Sequence, residues 1–224
     1  MVAQNISHKL IKDQLMAILL GGKDPSAITI TWALYELARH PKAMTTLREE
    51  ISSIVGMSDP PNAAHLKKMT FLHNTIQEIL RLHSPLGFNI RTALNDTTLP
   101  TGGGPAGDAP IGIPHGTPII IANASLQRRA DLIGPDADEF RPGRWDNEWR
   151  PAIWSYLPFN HGPRICLGKN FAMMQMEYII CRLLQAFSTI EIVMIGDCIG
   201  DGDVRTKIAL NTKPAEPIWL RFAE

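Results

Sequence analysis

Phe159-Asn160-His161-Gly162-Pro163-Arg164-Ile165-Cys166-Leu167-Gly168 is the stretch on which the reading of this chain turns. A cysteine follows a tight Gly–Pro turn, stands behind an aromatic residue, and opens a run of helical periodicity from about Leu167 to Phe187. Helix N-termini and free backbone N–H groups stabilise a thiolate. Gly168, read as lying just inside the helix, removes a side chain where a flat ligand would need close approach. Arg164 offers a fork of donors for a carboxylate. Taken alone, Cys166 would be read as a small buried hydrophobe, the usual fate of a free cysteine. Thiolate, anion-binding arginine and glycine clearance together describe a haem iron ligand with a propionate partner.

Moving outward, Glu78-x-x-Arg81 lies on a predicted helix that ends before Ser84–Pro85. Residues three apart on a helix are neighbours, and such a pair is commonly a solvated ion pair of a few tenths of a kcal/mol. It gains meaning beside Phe140-Arg141-Pro142-Gly143-Arg144-Trp145. The 224 residues carry 22 Lys plus Arg against 22 Asp plus Glu, which argues against binding nucleic acid or acidic lipid by bulk charge. A hydrophobic content of 45% supports a real core. No apolar run reaches the roughly 18–20 residues of a membrane span, and no secretory signal is visible. Cys166, Cys181 and Cys198 include no CxxC pair, so neither a disulfide scaffold nor a cysteine-rich zinc site is expected. The composition is that of a globular chain from a reducing compartment.

Helix dominates the first half. Leu10, Leu15, Ile18, Leu19, Trp32, Leu34 and Leu37 recur at helical spacing from Ser7 to Ala38, interrupted at Gly21-Gly22-Lys23-Asp24-Pro25-Ser26. Proline frees the carbonyl four residues back, that of Gly21, so either two helices or one kinked helix is expected. Pro41 starts a further helix to about Val55, and Leu66, Met69, Leu72, Ile76, Ile79 and Leu80 mark one face of the next. Thr101 to Gly107 reads as a flexible turn and Pro118 to Ala122 as a strand. Asp131 to Trp154 reads as an irregular segment pinned by aromatics, and Lys207 to Phe222 as a hairpin. The class is mainly α with minor β.

These features resemble the C-terminal half of a cytochrome P-450, the haem-thiolate monooxygenase family. The cysteine loop matches the family's FxxGxRxCxG signature through Phe159, Gly162, Arg164, Cys166 and Gly168. Glu78 and Arg81 match its ExxR pair, and Arg144 takes the third place of the buried triad that braces the fold under the haem. The resemblance implies haem b with Cys166 as axial iron ligand, Arg164 and Arg91 as propionate contacts, and electrons delivered from NADPH by cytochrome P-450 reductase. It implies residues 1–224 as a single incomplete domain, with the membrane anchor and another propionate-binding helix in an N-terminal half outside this chain. It also implies the endoplasmic reticulum membrane as the location. Within the family, Arg91-Thr92-Ala93-Leu94-Asn95-Asp96-Thr97-Thr98-Leu99-Pro100 and the following triple glycine are similar to the fungal n-alkane and fatty-acid hydroxylases, which implies a small hydrophobic, aliphatic substrate.

The chain departs from that pattern at the distal site. An acid followed by threonine usually organises water and delivers protons there; here Asp24 is followed by Pro25, with Ser26 as the next hydroxyl. Asp24 and Ser26 are the catalytic candidates. Gln127 replaces a common histidine, and His161 is expected to be a loop residue. Arg141, Arg150 and Lys169 read either as a basic landing patch for a reductase or as an ordinary solvated surface. Three functions stay open: an aliphatic hydroxylase, a haem-thiolate enzyme that rearranges or dehydrates an oxygenated substrate, and an inactive remnant. The pocket parts expected in this chain are the distal helix, Leu86 to Ile90 and the tip at Leu210 to Thr212.

Overall fold

The structure is a computed structural model that describes residues 7–146, 149–152, 154–199 and 204–223. Ser7 starts the longest element, its hydroxyl accepting the Leu10 N–H at 3.2 Å. Helix α1 then runs unbroken over His8–Arg39 with Pro25 inside it. The sequence left open two helices or one; one helix forms, with Pro25 half-buried inside it. A Cβ on Gly21 or Gly22 would meet nothing within 4 Å. Packing begins at the proline: residues up to Asp24 are exposed, whereas Ser26, Thr29, Trp32, Ala33 and Leu37 are buried.

Helix α2, Pro41–Ile54, has proline in its first turn, where a missing N–H costs nothing. The apolar face from Leu66 to Leu80, expected to be one helix, is divided into α3, Ala63–Leu66, and α4, Thr70–Leu82. The break has a cause in α2. Glu50 accepts the N–H groups of Phe71 and Leu72 at 2.7 and 2.9 Å, satisfying donors that the start of a helix would otherwise orphan. Met69 and Leu66 remain buried across the break.

The next segments are short and extended. Strand β1, Asn89–Thr92, precedes the hairpin of β2, Thr97–Gly103, and β3, Ala109–Ile113; β4, Pro118–Ile121, then returns antiparallel to β1. The glycine-rich stretch thus divides: Thr101 to Gly103 complete β2, and only Gly104 to Gly107 form the turn. Two single-turn helices follow, α5 at Asn123–Leu126 and α6 at Ala130–Ile133. The irregular segment after them is pinned by aromatics as expected, with the Trp145 ring 4.9 Å from both Trp149, edge to face, and Tyr156, tilted.

Helix α7, Lys169–Ala186, completes the core: its Met176, Ile180 and Leu184 pack with Trp32, Leu47, Ile51, Leu72 and Ile76. Arg48 of α2 caps its C-terminus, donating to the Leu184 carbonyl at 2.7 Å and to that of Phe187. Strand β5, Thr189–Ile195, lies between β6, Cys198–Ile199, and β9, Ile218–Ala223. The hairpin expected over Lys207 to Phe222 is therefore only its first part, β7, Thr206–Ile208, with β8, Thr212–Pro214. Pro214 and Pro217, which lack N–H donors, separate it from β9, which pairs with β5 instead. The helix-rich architecture with small antiparallel pairs matches the sequence reading.

Candidate functional site

The cysteine loop is held from behind. The Cys166 N–H donates to the Phe159 carbonyl at 2.9 Å, closing the loop on itself. Gly162 makes this turn possible with φ +70°, a region side chains rarely occupy. The N–H of Gly162 donates to His161 Nδ1 at 2.8 Å, and the His161 ring lies 4.7 Å from Trp154, so His161 is a loop-shaping residue. Phe159 packs against the core, with the Lys169 ammonium 6.0 Å from its ring centre. Gly168 is the residue that caps α7, just outside the helix rather than inside it as expected. A Cβ there would stand 3.8 Å from Cys166 Sγ, so the missing side chain leaves the face beside the sulfur clear.

The chain also buries a charge cluster. Glu78 and Arg81 are wholly buried and pair through two bonds, Nε to Oε2 at 2.9 Å and Nη2 to Oε1 at 2.8 Å. Arg144 Nε reaches Oε1 at 3.3 Å, the Arg141 N–H donates to the same oxygen at 3.1 Å, and Trp145 Nε1 donates to Oε2 at 2.9 Å. Arg81 continues to the carbonyls of Gln127 and Glu139, each at 3.1 Å. The Arg144 guanidinium holds the Asp136 carboxyl below its ordinary value through a 2.8 Å bond. Burial pulls Arg144 itself down, yet Asp136 and Glu78 outweigh it and raise that guanidinium's pKa. Two buried arginines would be ruinous unpaired; a five-donor carboxylate makes them a brace.

Asp136, Trp145 and Gln127 were not foreseen as parts of this brace. The first two lie in an aperiodic segment, where only spatial proximity reveals them. Gln127 was visible merely as a substitution.

On the other side, a pocket of about 310 Å³ lies between α1 and the β7–β8 turn, lined by Asp24, Ala27, Ile28, Leu210, Asn211 and Lys213 among others. Ser26 is not part of it and is buried in the packing. The structure does not bring the two catalytic candidates together. Residues two apart on a helix point to different sides, so Asp24 and Ser26 cannot share a face. A second pocket of about 380 Å³ is lined by Trp32, His83, Gly87, Phe88, Ile208 and Thr212 among others. Thr212 ties the strand to the Leu86 to Ile90 loop, accepting the Gly87 N–H at 3.1 Å and donating its own N–H to the Pro85 carbonyl at 2.8 Å. In that second wall the His83 ring stacks on Trp32 at 4.0 Å, and burial lowers its pKa despite a 2.7 Å contact with Glu36.

The chain matches the cytochrome P450 family over residues 2–216. The chain belongs to the cytochrome P450 family. Relatives of this cytochrome P450 include cytochrome P450 monooxygenase pvhE of Talaromyces variabilis, 41% identical over 96% of this chain and 40% of that protein. Cytochrome P450 52E1 of Candida apicola is 45% identical over 96% of this chain and 42% of its own length. Cytochrome P450 52-E3 of Starmerella bombicola is 44% identical over 83% and 36%. The chain therefore spans about two fifths of the length of the curated relatives it matches.

Membership implies a haem iron. The residues present fit that group. Cys166 is an exposed free cysteine, soft enough for iron. Arg164 is exposed, and Arg91, exposed on β1, donates only to the Ile90 carbonyl. Neither has a carboxylate partner among the described residues. The basic patch fares differently. Arg141 is bound to Asp136 at 2.8 Å and Arg150 donates to the Trp149 carbonyl at 2.8 Å, so only Lys169 of the three projects without an ion pair or hydrogen bond among the described residues. No helix among the described residues is long and apolar enough to cross a membrane.

Proposed function

We propose that this P450 is part of a haem-thiolate monooxygenase that hydroxylates a long aliphatic substrate, alkane or fatty-acid-like, using electrons passed from NADPH by cytochrome P-450 reductase at the endoplasmic reticulum membrane. The described chain is read as the C-terminal part of one catalytic domain. The observation that carries the reading is an exposed Cys166 on a loop closed by Phe159 and Gly162, in a chain that also buries the Glu78–Arg81–Arg144 cluster.

In this reading Cys166 would hold the haem iron, Arg164 and Arg91 would pair with the haem carboxylates, and Phe159, Gly162 and Gly168 would shape the approach to the sulfur. The haem, when bound, supplies the oxygen activation. Glu78 fixes Arg81 and Arg144 through its hydrogen bonds, so that the segment leading to the loop has one conformation. The apolar residues Ala27, Ile28 and Leu210 line a pocket suited to a methylene chain. Asp24, exposed at the same pocket, remains the catalytic candidate in this reading. The Gly21 carbonyl, freed by Pro25, can accept a hydrogen bond from water but cannot donate one.

A second reading rests on that last point. With Ser26 turned into the core and no threonine hydroxyl at position 25, a reaction that rearranges or dehydrates an already oxygenated substrate would need no relay. The deciding experiment is the carbon-monoxide difference spectrum of the reduced, haem-loaded protein with Cys166→Ser as control, followed by NADPH-dependent oxygen uptake with an alkane or fatty acid. A red-shifted Soret band lost in the control, with substrate-dependent oxygen uptake, is the expected result. Product formation without oxygen uptake would select the second reading, and absence of the band would sink both.

A further inference from the structure

We infer that Gln127 is a positioning residue for the cysteine loop, an inference that rests on the haem-thiolate reading above. Gln127 is wholly buried and has no ionisable role, yet every polar atom of its side chain is engaged. Its amide nitrogen donates to the carbonyls of Leu80 at 3.2 Å and Arg81 at 3.4 Å. Its amide oxygen accepts the Leu157 N–H at 2.8 Å. Leu80 and Arg81 belong to the last turn of α4, whose carbonyls have no partner within the helix. The neighbours complete the cap: the His83 N–H takes the Ile79 carbonyl at 2.7 Å, and Arg128 Nε takes that of Leu82 at 3.1 Å.

The bond to Leu157 does something the cap does not require. Leu157 is buried and stands just before Pro158 and Phe159, and the Phe159 carbonyl is the acceptor for the Cys166 N–H. One side chain thus couples the helix carrying Glu78 and Arg81 to the strand of chain that sets the sulfur's position. An amide suits this better than an imidazole. Asparagine and glutamine side chains offer two donors and an acceptor on one planar group, whereas a neutral imidazole offers one donor and one acceptor. Histidine here would have to give up one of the two α4 carbonyls to keep Leu157.

The test uses the haem-loaded protein expressed from its full reading frame, with three variants. Gln127→Leu removes both links. Gln127→His keeps an acceptor for Leu157 and one donor. Arg128→Ala weakens the same helix cap through Leu82 but leaves Leu157 untouched. The readout is the fraction of reduced, carbon-monoxide-bound protein with the red-shifted thiolate Soret band, alongside Tm. Gln127→Leu should shift the balance from thiolate-bound to thiolate-detached protein about tenfold, the effect of stranding one buried N–H. Gln127→His should restore most of the band, and Arg128→Ala should lower Tm while keeping the full band. Equal bands in all three variants, with Tm falling alike, would reduce Gln127 to a helix cap and overturn the inference. Should Gln127→Leu not fold, Gln127→Asn replaces it, its side chain being one methylene too short to bridge the α4 carbonyls and Leu157: a band weaker than in Arg128→Ala at matched Tm supports the inference, and a band as strong as Arg128→Ala's at matched Tm overturns it. If the unmodified protein shows no band, the haem-thiolate reading fails first and takes this inference with it.

Discussion

Replacing Glu78 with glutamine would test the brace most sharply, because the substitution keeps shape and volume and removes only charge and acceptors. Three donors converge on Oε1, from Arg81 Nη2, Arg144 Nε and the Arg141 N–H, and two on Oε2, from Arg81 Nε and Trp145 Nε1. A glutamine would keep its oxygen on the three-donor side, which turns its NH2 against Arg81 Nε and Trp145 Nε1. Two hydrogen bonds are then lost, and Arg81 is left buried with no counter-charge of its own. Arg144 retains Asp136 at 2.8 Å and limits the damage. Removing one partner of a buried pair costs about 3–5 kcal/mol. That is a large share of the roughly 5–15 kcal/mol by which a domain is stable. At about 2–4 °C per kcal/mol, Tm should fall by about 6–20 °C. Trp145→Phe, which deletes a single charge-assisted bond, should cost about 1.5–3 kcal/mol. Urea unfolding of the haem-loaded protein, followed by circular dichroism, gives both values from the midpoint shift at unchanged slope. A loss below about 1 kcal/mol for Glu78→Gln would mean that the cluster behaves like a surface pair, and the account of the brace would be wrong.

Other consequences follow from the same geometry. Because Arg144 holds the Asp136 carboxyl low, that contact stabilises the fold above the ordinary carboxylate pKa and is lost as pH falls through the lowered one. Asp136→Asn should therefore be less stable than the unmodified protein at pH 6–7, with the gap closing below about pH 4; a gap independent of pH would contradict this. Burial keeps His83 neutral, so the unfolded chain takes up its proton first and stability should decline as pH drops below about 6.5. His83→Gln, which still offers Glu36 a donor, should flatten that slope. Burial also pushes the Cys181 thiol up to about 11, so alkylation of haem-free protein near pH 8, read by peptide mass mapping, should label exposed Cys166 and spare Cys181. Pro25→Thr should return a hydroxyl and an N–H to the distal helix and raise product formed per NADPH consumed. An unchanged ratio would show that position 25 takes no part in proton delivery.

The cysteine loop and the Glu78–Arg81 pair were legible in the sequence because each is a local pattern. A turn needs glycine at residue 162 itself, and residues three apart on a helix must meet. The helical class was legible for the same reason, since apolar periodicity is a property of consecutive residues. What the sequence could not decide is long-range. It could not show that α1 survives Pro25 as one helix, where packing begins at the proline. It could not show that Glu50 restarts the chain at Thr70, or that β9 leaves its expected hairpin for β5. It could not show that, of the candidates Asp24 and Ser26, packing buries the serine and leaves the aspartate at a pocket. Gln127 makes the contrast plainest: in sequence it only replaces a common histidine, and in space it joins a helix end to the approach of the cysteine loop, bonding Leu157 at a sequence separation of 30. Hydrogen bonds of that kind are set by where buried donors and acceptors lie in three dimensions, and no spacing rule along the chain encodes them.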